Sequence, residues 1–225
     1  MFVLSSPTKS KLVGSKVIST DSSDVSLVPV WSLITPNTEI ISIHARNSVE
    51  RVHSAGRVLA DRSVLFKYMN PNIAIVAAQG LDSSAKLFLN IYLLDMVTGK
   101  VYYSATHKKV LPPFHTIHSE NWAVYSYYND KARRAELVSI EMYEGKTQTN
   151  ATVFSSIENK VVPLVEHKAY ILPVSDVRAL KETVTEQGIT SKHLLIGTQA
   201  GSILDLPLHM VDPRKPKFLF TYFFY

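Results

Sequence analysis

The apolar positions of this chain fall in short runs separated by turn-forming residues. Leu194, Leu195 and Ile196 make one such run, as expected of a strand covered on both faces. Gln199, Ala200, Gly201 and Ser202 follow as a tight turn, where Gly201 takes positive φ without steric cost. Ile203, Leu204 and Leu206 lie on the return strand, which Pro207 ends because it has no N–H for the ladder. Residues 40–43, 64–68, 73–78, 87–94, 101–105, 122–128 and 137–142 read as further strands. Polar turns separate them at 53–57, 70–72, 80–85, 95–100, 129–134 and 144–146. Residues 25–33 are β-like but interrupted by Pro29, and Pro112-Pro113 breaks the chain again. Residues 5–26, rich in Ser, Thr and Lys, predict a loop or a weak edge strand.

Residues 175–185 are ambiguous by pattern. Val177, Leu180 and Val184 have helical spacing, and Ser175 or Asp176 could cap. The β-branched run 183–185 and Gly188, placed where a strand-to-strand turn would sit, favour a strand.

The pattern repeats. Gly99 and Gly145 stand 46 residues apart, and Leu94-Asp95 precedes the first as Ile140-Glu141 precedes the second. A period of about 40–50 residues with four short strands per unit is the signature of propeller blades. The expected fold is mostly β, a partial β-propeller of quinoprotein-like blades with little helix. At this period 225 residues make at most four to five blades. The outermost sheets would then expose unpaired edges, which predicts that the chain does not fold well alone.

Composition agrees with this picture. Eleven Tyr and nine Phe favour strands, and 46% apolar residues supply a core. There is no Cys, hence no disulfide framework and no Cys-ligated zinc. Residues 1–4 are too short an apolar run for a signal-peptide core, and no run approaches the roughly 18 residues of a membrane helix. The net charge of +5 comes largely from clusters at Lys9-Lys11-Lys16, Lys131-Arg133-Arg134 and Arg214-Lys215-Lys217. None is interleaved with aromatics, so nucleic acid is not an expected partner.

Candidate chemistry is sparse. His115 and His118 could share a metal on a helix, but on a strand they face opposite ways. Residues 95–100 (DMVTGK) are similar to a turn of quinone-dependent dehydrogenase propellers, which gives a quinoprotein-like oxidoreductase as the alternative function. The turn also has a plain structural cause: Asp95 caps the bend, Thr98 bonds back to the backbone and Gly99 takes positive φ. No cluster of Asp, Glu and Asn stands ready to clamp a quinone and its metal, and there is no phosphate loop, G-x-S-x-G elbow or H-E-x-x-H. No catalytic residue, metal ligand or cofactor is assigned. Asn150-Ala151-Thr152 is the one glycosylation sequon. Residues 218–225 (FLFTYFFY) form an aromatic run that reads as a divergent tail or as an interfacial membrane contact.

Several separated stretches carry a familial likeness. They are HSAGRVLADRSVLFKYMNPN (53–72), HSENWAVYSYYNDKARRAEL (118–137), EMYEG (141–145) with the sequon close behind, GITSKHLLIGTQAGSILDLP (188–207) and DPRKP (212–216). On these the chain, over residues 50–217, resembles the C-terminal lumenal region of the family of subunit 1 of the endoplasmic reticulum membrane protein complex. Residues 1–49 carry less of the likeness, and 218–225 none. The resemblance implies a non-catalytic lumenal scaffold of β-propellers in a type I membrane protein. Its complex inserts transmembrane segments and tail anchors of client proteins into the endoplasmic reticulum membrane. Implied partners are the other subunits and, through them, the clients. Asn150 would lie on the lumenal side and carry a glycan. The family's signal sequence, most of its N-terminal propeller region and its membrane helix have no counterpart here, so the chain is expected to be a fragment of such a subunit.

Overall fold

A computed structural model describes residues 2–19, 25–47, 49–149, 152, 154–158, 161–185, 187–188 and 190–215. These residues form four antiparallel sheets that follow one another along the chain. The first holds β1 (Phe2–Thr8), β2 (Lys11–Ser19) and β3 (Val25–Ile34) in that order. The second begins with β4 (Thr38–Ala45). After the short hairpin β5 (Gly56–Val58) and β6 (Val64–Lys67), it continues with β7 (Ile73–Leu81), β8 (Leu87–Asp95) and β9 (Val101–Lys108). The third is the meander β10 (Val110–Ser119), β11 (Trp122–Asn129), β12 (Arg134–Gly145) and β13 (Leu164–Ile171), with a one-turn helix α1 (Ser155–Glu158) before its last strand. The β5–β6 hairpin pairs onto the end of β12 through Lys67 and Phe66. The fourth holds β14 (Val177–Glu182), β15 (His193–Thr198) and β16 (Ile203–Pro207), followed by a 3-10 turn at Leu208–Val211.

Alternation along each strand stacks the sheets. In β7, Ile73, Ile75 and Ala77 point toward the third sheet, while Val76 points toward the first. In β11, Ala123, Tyr125 and Tyr127 meet the second sheet, while Trp122 and Val124 meet the fourth. In β12, Val138, Ile140 and Met142 take the first role, and Ala135 and Leu137 the second. The period of two therefore buries both faces of the two middle sheets, and β7 and β12 read as near-continuous apolar runs for that reason. Ile73, Ile75, Leu89, Ile91 and Leu93 are wholly buried, each contributing roughly 1.5–3 kcal/mol of burial. Sheets packed face to face in chain order, each needing its neighbours, are the arrangement of propeller blades.

The equivalence of Gly99 and Gly145 holds in three dimensions. Gly99 (φ 73°) follows β8 and Gly145 (φ 109°) ends β12, and each of these is the third strand of its sheet. Residues 177–182 are a strand, β14, as favoured from the sequence.

Two expectations are corrected and one is decided. Of the two readings of residues 5–26, loop or weak edge strand, the described residues take the strand: part of β1, an edge strand, and all of β2 lie there. Leu12 is wholly buried against Val76 and Leu94, and Val13 beside it is buried as well, which anchors β2. Pro29 does not interrupt β3. It sits opposite Ser15 next to a register shift, on a strand paired along only one side among the described residues, where a missing N–H costs no ladder bond. Pro112-Pro113 likewise lies within β10, in a register shift between Leu111 and His115.

Trp31 locks the first sheet to the second. Its Nε1–H donates to the Met96 carbonyl at 3.0 Å. Its ring lies so close over Gly99 that an added Cβ there would come within 2.6 Å of it. Below α1, Asn70 Nδ2 donates to Ser156 Oγ at 2.8 Å and to Tyr68 Oη at 3.1 Å, which fastens the helix to the β6–β7 turn.

Candidate interaction surfaces

The largest constellation of ionisable groups lies where the β10–β11 turn meets the segment after β16. Lys67 donates to Glu120 at 2.7 Å, and the His53 N–H donates to the same carboxylate at 3.1 Å. Glu50 accepts from the Glu120 N–H at 3.0 Å, from Ser119 Oγ and from Lys192, whose Nζ also donates to Ser119 Oγ at 2.8 Å. Beside this group, Arg57 reaches Glu141 at 3.0 Å through Nη2 and Asp212 through Nη1. Tyr143 Oη donates to Glu141, Arg214 pairs with Asp212 at 3.2 Å, and Tyr170 Oη donates to the Asp212 carbonyl at 2.6 Å. Burial pushes the Glu141 carboxyl up against the pull of Arg57. Burial also pushes Asp212 up, but the Arg214 hydrogen bonds and the Arg57 charge outweigh it and hold Asp212 below the ordinary range.

A cavity of about 290 Å³ opens here, bounded among others by His53, Arg57, Lys67, Glu120, Lys192 and His209. Each carboxylate of the network is held by at least one cation. None is thus left as a free base, and the arrangement ties the third sheet to the fourth and to the β5–β6 hairpin. Sequence reasoning did not assemble it, because Arg57 and Asp212 are 155 residues apart. Arg57, Ser119, Glu120, Glu141, Lys192, Asp212 and Arg214 nonetheless all lie within the stretches that carry the familial likeness.

The sequence-predicted candidates stay apart. His115 and His118 lie on β10, and the strand aims them differently. His115 Nε2 approaches the Val177 carbonyl at 3.4 Å. His118 is buried, and neither ring nitrogen finds a hydrogen bond of good geometry. Burial, reinforced by the nearby Arg46 charge, pushes it down to about 3, so the ring is neutral. Among the described residues no three His, Asp or Glu side chains converge as metal ligands. The turn at 95–100 has the structural role given above. Asp95 Oδ1 accepts from the Val97 N–H at 2.8 Å and the Thr98 N–H at 3.2 Å, and Thr98 Oγ1 accepts from the Lys100 N–H at 3.3 Å. Asp95 is wholly buried, with Oδ1 holding its own turn and Oδ2 accepting from Asn70 Nδ2 at 3.4 Å, which does not favour the quinoprotein alternative. Asn150 and residues 218–225 lie outside the described residues.

The outer sheets present apolar surface. On β3, Val25, Leu27, Val30 and Ile34 are 55–66% exposed, and Ile203 on β16 is 71% exposed. The inner strands of the middle sheets, β7, β8, β11 and β12, bury most of their apolar side chains, while the outer strand β13 also exposes Leu164 and Ile171. Exposed apolar strands on an edge pair readily with another chain or sheet, so these surfaces suit contact with further protein.

Comparison with known proteins agrees with this architecture. Residues 1–218 match the family model described as ER membrane protein complex subunit 1, second beta-propeller. The chain is 43% identical over 219 residues to ER membrane protein complex subunit 1 of Xenopus laevis, an alignment that covers 96% of this chain and 22% of the relative. It is 45% identical over 197 residues to the Gallus gallus protein of the same name, with 86% and 20% covered. It is 34% identical over 203 residues to that of Schizosaccharomyces pombe, with 87% and 22% covered. The chain thus spans about a fifth of the length of these relatives. With sheets stacked as blades and a match running nearly end to end, the chain belongs to the ER membrane protein complex subunit 1 family, in the region of its second β-propeller.

Proposed function

We propose that this chain is a non-catalytic scaffold segment, on the lumenal face of the endoplasmic reticulum membrane, of a complex that inserts transmembrane segments and tail anchors of client proteins. The observation that carries this reading is the match of nearly the whole chain to a propeller of a complex subunit. The structure supports it in two ways. The ionisable groups of its buried network are spent on joining sheets, and its outer strands offer apolar surface to neighbours. The partners are other subunits of the complex, and clients are reached through them. No helix among the described residues is long and apolar enough to cross a membrane. Asn150 is the residue proposed to carry a glycan, since the sequon would face the lumen.

The test is affinity purification of the tagged full-length protein from microsomes. The other subunits are expected to co-purify in fixed ratio, and a glycosidase is expected to shift the mobility of the wild type by one glycan more than that of Asn150→Gln. Recovery of the protein without other subunits would sink the scaffold reading. An equal shift of wild type and Asn150→Gln would sink the glycan.

A further inference from the structure

At the end of the sheets opposite the buried ion network, three turns come together. The β7–β8 turn, residues 82–86, is bound by Asp82, whose carboxylate accepts from the Ser84 N–H at 2.8 Å and the Lys86 N–H at 2.9 Å. The β9–β10 turn holds Lys108 and Lys109, and Lys108 pairs across the ladder with Phe88, beside that first turn. The β11–β12 turn, residues 130–133, hydrogen-bonds to it directly: the Asp130 N–H donates to the Lys109 carbonyl at 3.0 Å. All three turns use left-handed backbone, at Ala85 (φ 55°), Lys109 (φ 58°) and Arg133 (φ 52°), which sets the residues at their tips by backbone geometry.

The charge gathered here is lopsided. Lys86, Lys108, Lys109, Lys131 and Arg133 are all exposed, and none makes an ion pair among the described residues. Arg134 alone is paired, with Glu136 at 2.8 Å. The remaining carboxylates are Asp82, occupied by backbone N–H groups, and Asp130. Lys86, Lys108, Lys109, Lys131, Arg133 and Arg134 thus face only Asp82, Asp130 and Glu136, so this end has a local excess of positive charge. Grouped like charges repel one another and add nothing to the fold. At the other end, by contrast, every carboxylate of the network has its cation.

We propose that this end of the second and third sheets, presented by Lys86, Lys108, Lys109, Lys131 and Arg133, is a docking surface for an acidic polypeptide segment. The inference names the chemistry of a partner for the scaffold and rests on that reading. Charge complementarity selects the partner. The turns 82–86, 108–109 and 130–134 contain no aromatic residue on which a nucleic-acid base could stack, and the exposed apolar side chains beside them, Leu81 and Leu111, are two isolated residues and no contiguous face of the kind that enters a bilayer. A flexible acidic chain needs neither, because its carboxylates can meet lysines spread over three turns.

The experiment uses the tagged full-length protein, purified with whatever subunits it retains, and a fluorescent peptide of ten glutamates, read by anisotropy. The peptide is expected to bind. Its affinity is expected to fall at least about tenfold from about 0.05 M to about 0.3 M salt, as the screening length drops below the spacing of the charges. The variant Lys108→Glu/Lys109→Glu/Lys131→Glu/Arg133→Glu is expected to lose binding by at least as much. Its neutral counterpart with Gln at the same four positions should fall between, at an unchanged melting temperature. Equal binding by wild type and both variants overturns the proposal. So does capture of anionic phospholipid vesicles or of RNA in place of the peptide. Recovery of the other subunits is scored in the same preparations. If wild type binds the peptide but brings down no other subunit, the scaffold reading fails and the docking surface stands.

Discussion

Arg57 shows how one side chain can serve a junction between sheets. It enters from the β5–β6 hairpin and meets Glu141 of the third sheet and Asp212 beyond the fourth. The two carboxylates are 1% and 7% exposed, and Arg57 itself keeps a quarter of its side chain in water. Removing the cation leaves two buried carboxylates to find other partners, with Arg214 able to serve Asp212 but not to replace the bridge. Arg57→Ala is therefore expected to cost about 3 kcal/mol, the lower end for a broken buried pair. Arg57→Lys should recover only part of this, since one ammonium cannot hold two carboxylates in a planar fork. Denaturant unfolding of the purified protein, followed by hydrogen exchange of β16 and the segment after it, checks both. If Arg57→Ala exchanges like wild type, the bridge is not what joins these sheets. At this scale the sequence was only partly readable. The turn at 95–100 could be reasoned from Asp95, Thr98 and Gly99 because its bonds are local. The Arg57 bridge could not, because its partners lie 84 and 155 residues away.

Among elements, the contact between the first two sheets is centred on Trp31 of β3 and the β8–β9 turn. Gly99 needs its missing side chain twice over. Its φ of 73° is costly for any L side chain, and the Trp31 ring occupies the place of a Cβ. Gly145, its counterpart in the next sheet, has positive φ but open space around it. Gly99→Ala should thus destabilise by roughly 2 kcal/mol or more, and Gly145→Ala by about 1, strain alone. Thermal melts of the two variants test the ordering, and equal losses would show that the Trp31 contact yields freely. Pattern reading found most strands because β7, β8, β11 and β12 are written in apolar residues. It left β1 and β2 undecided between loop and weak edge strand, because their burial rests on few side chains such as Leu12 and Val13. It also misjudged Pro29 and Pro112-Pro113, because a strand free on one side, or locally out of register, can hold a proline.

Across the whole molecule, burial acts on the histidines in one direction. His44, His107, His115 and His118 are all pushed down, in each case first by burial. His118 goes furthest, from 6.5 to about 3, with the Arg46 charge and His44 beside it. The unfolded chain binds protons on these rings as the pH falls through about 6.5, whereas the folded chain takes them up at lower pH, His118 only near 3. Stability is therefore fully present above about pH 6.5 and is lost progressively on acidification toward 3. The effect is distributed: His107 lies between the second and third sheets, where its Nε2 hydrogen-bonds Tyr125 Oη at 2.8 Å, while His115 reaches the fourth sheet at Val177. Acid should consequently loosen the contacts between sheets before it breaks the ladders within them. Denaturant midpoints measured from pH 7.5 down to 5 are expected to fall steadily. His118→Leu is expected to flatten that slope, since it removes the most depressed ring together with its two unsatisfied nitrogens. A midpoint independent of pH over this range, or an unchanged slope in His118→Leu, would show that water or relaxation reaches these rings and that the packed faces between sheets are looser than their burial implies.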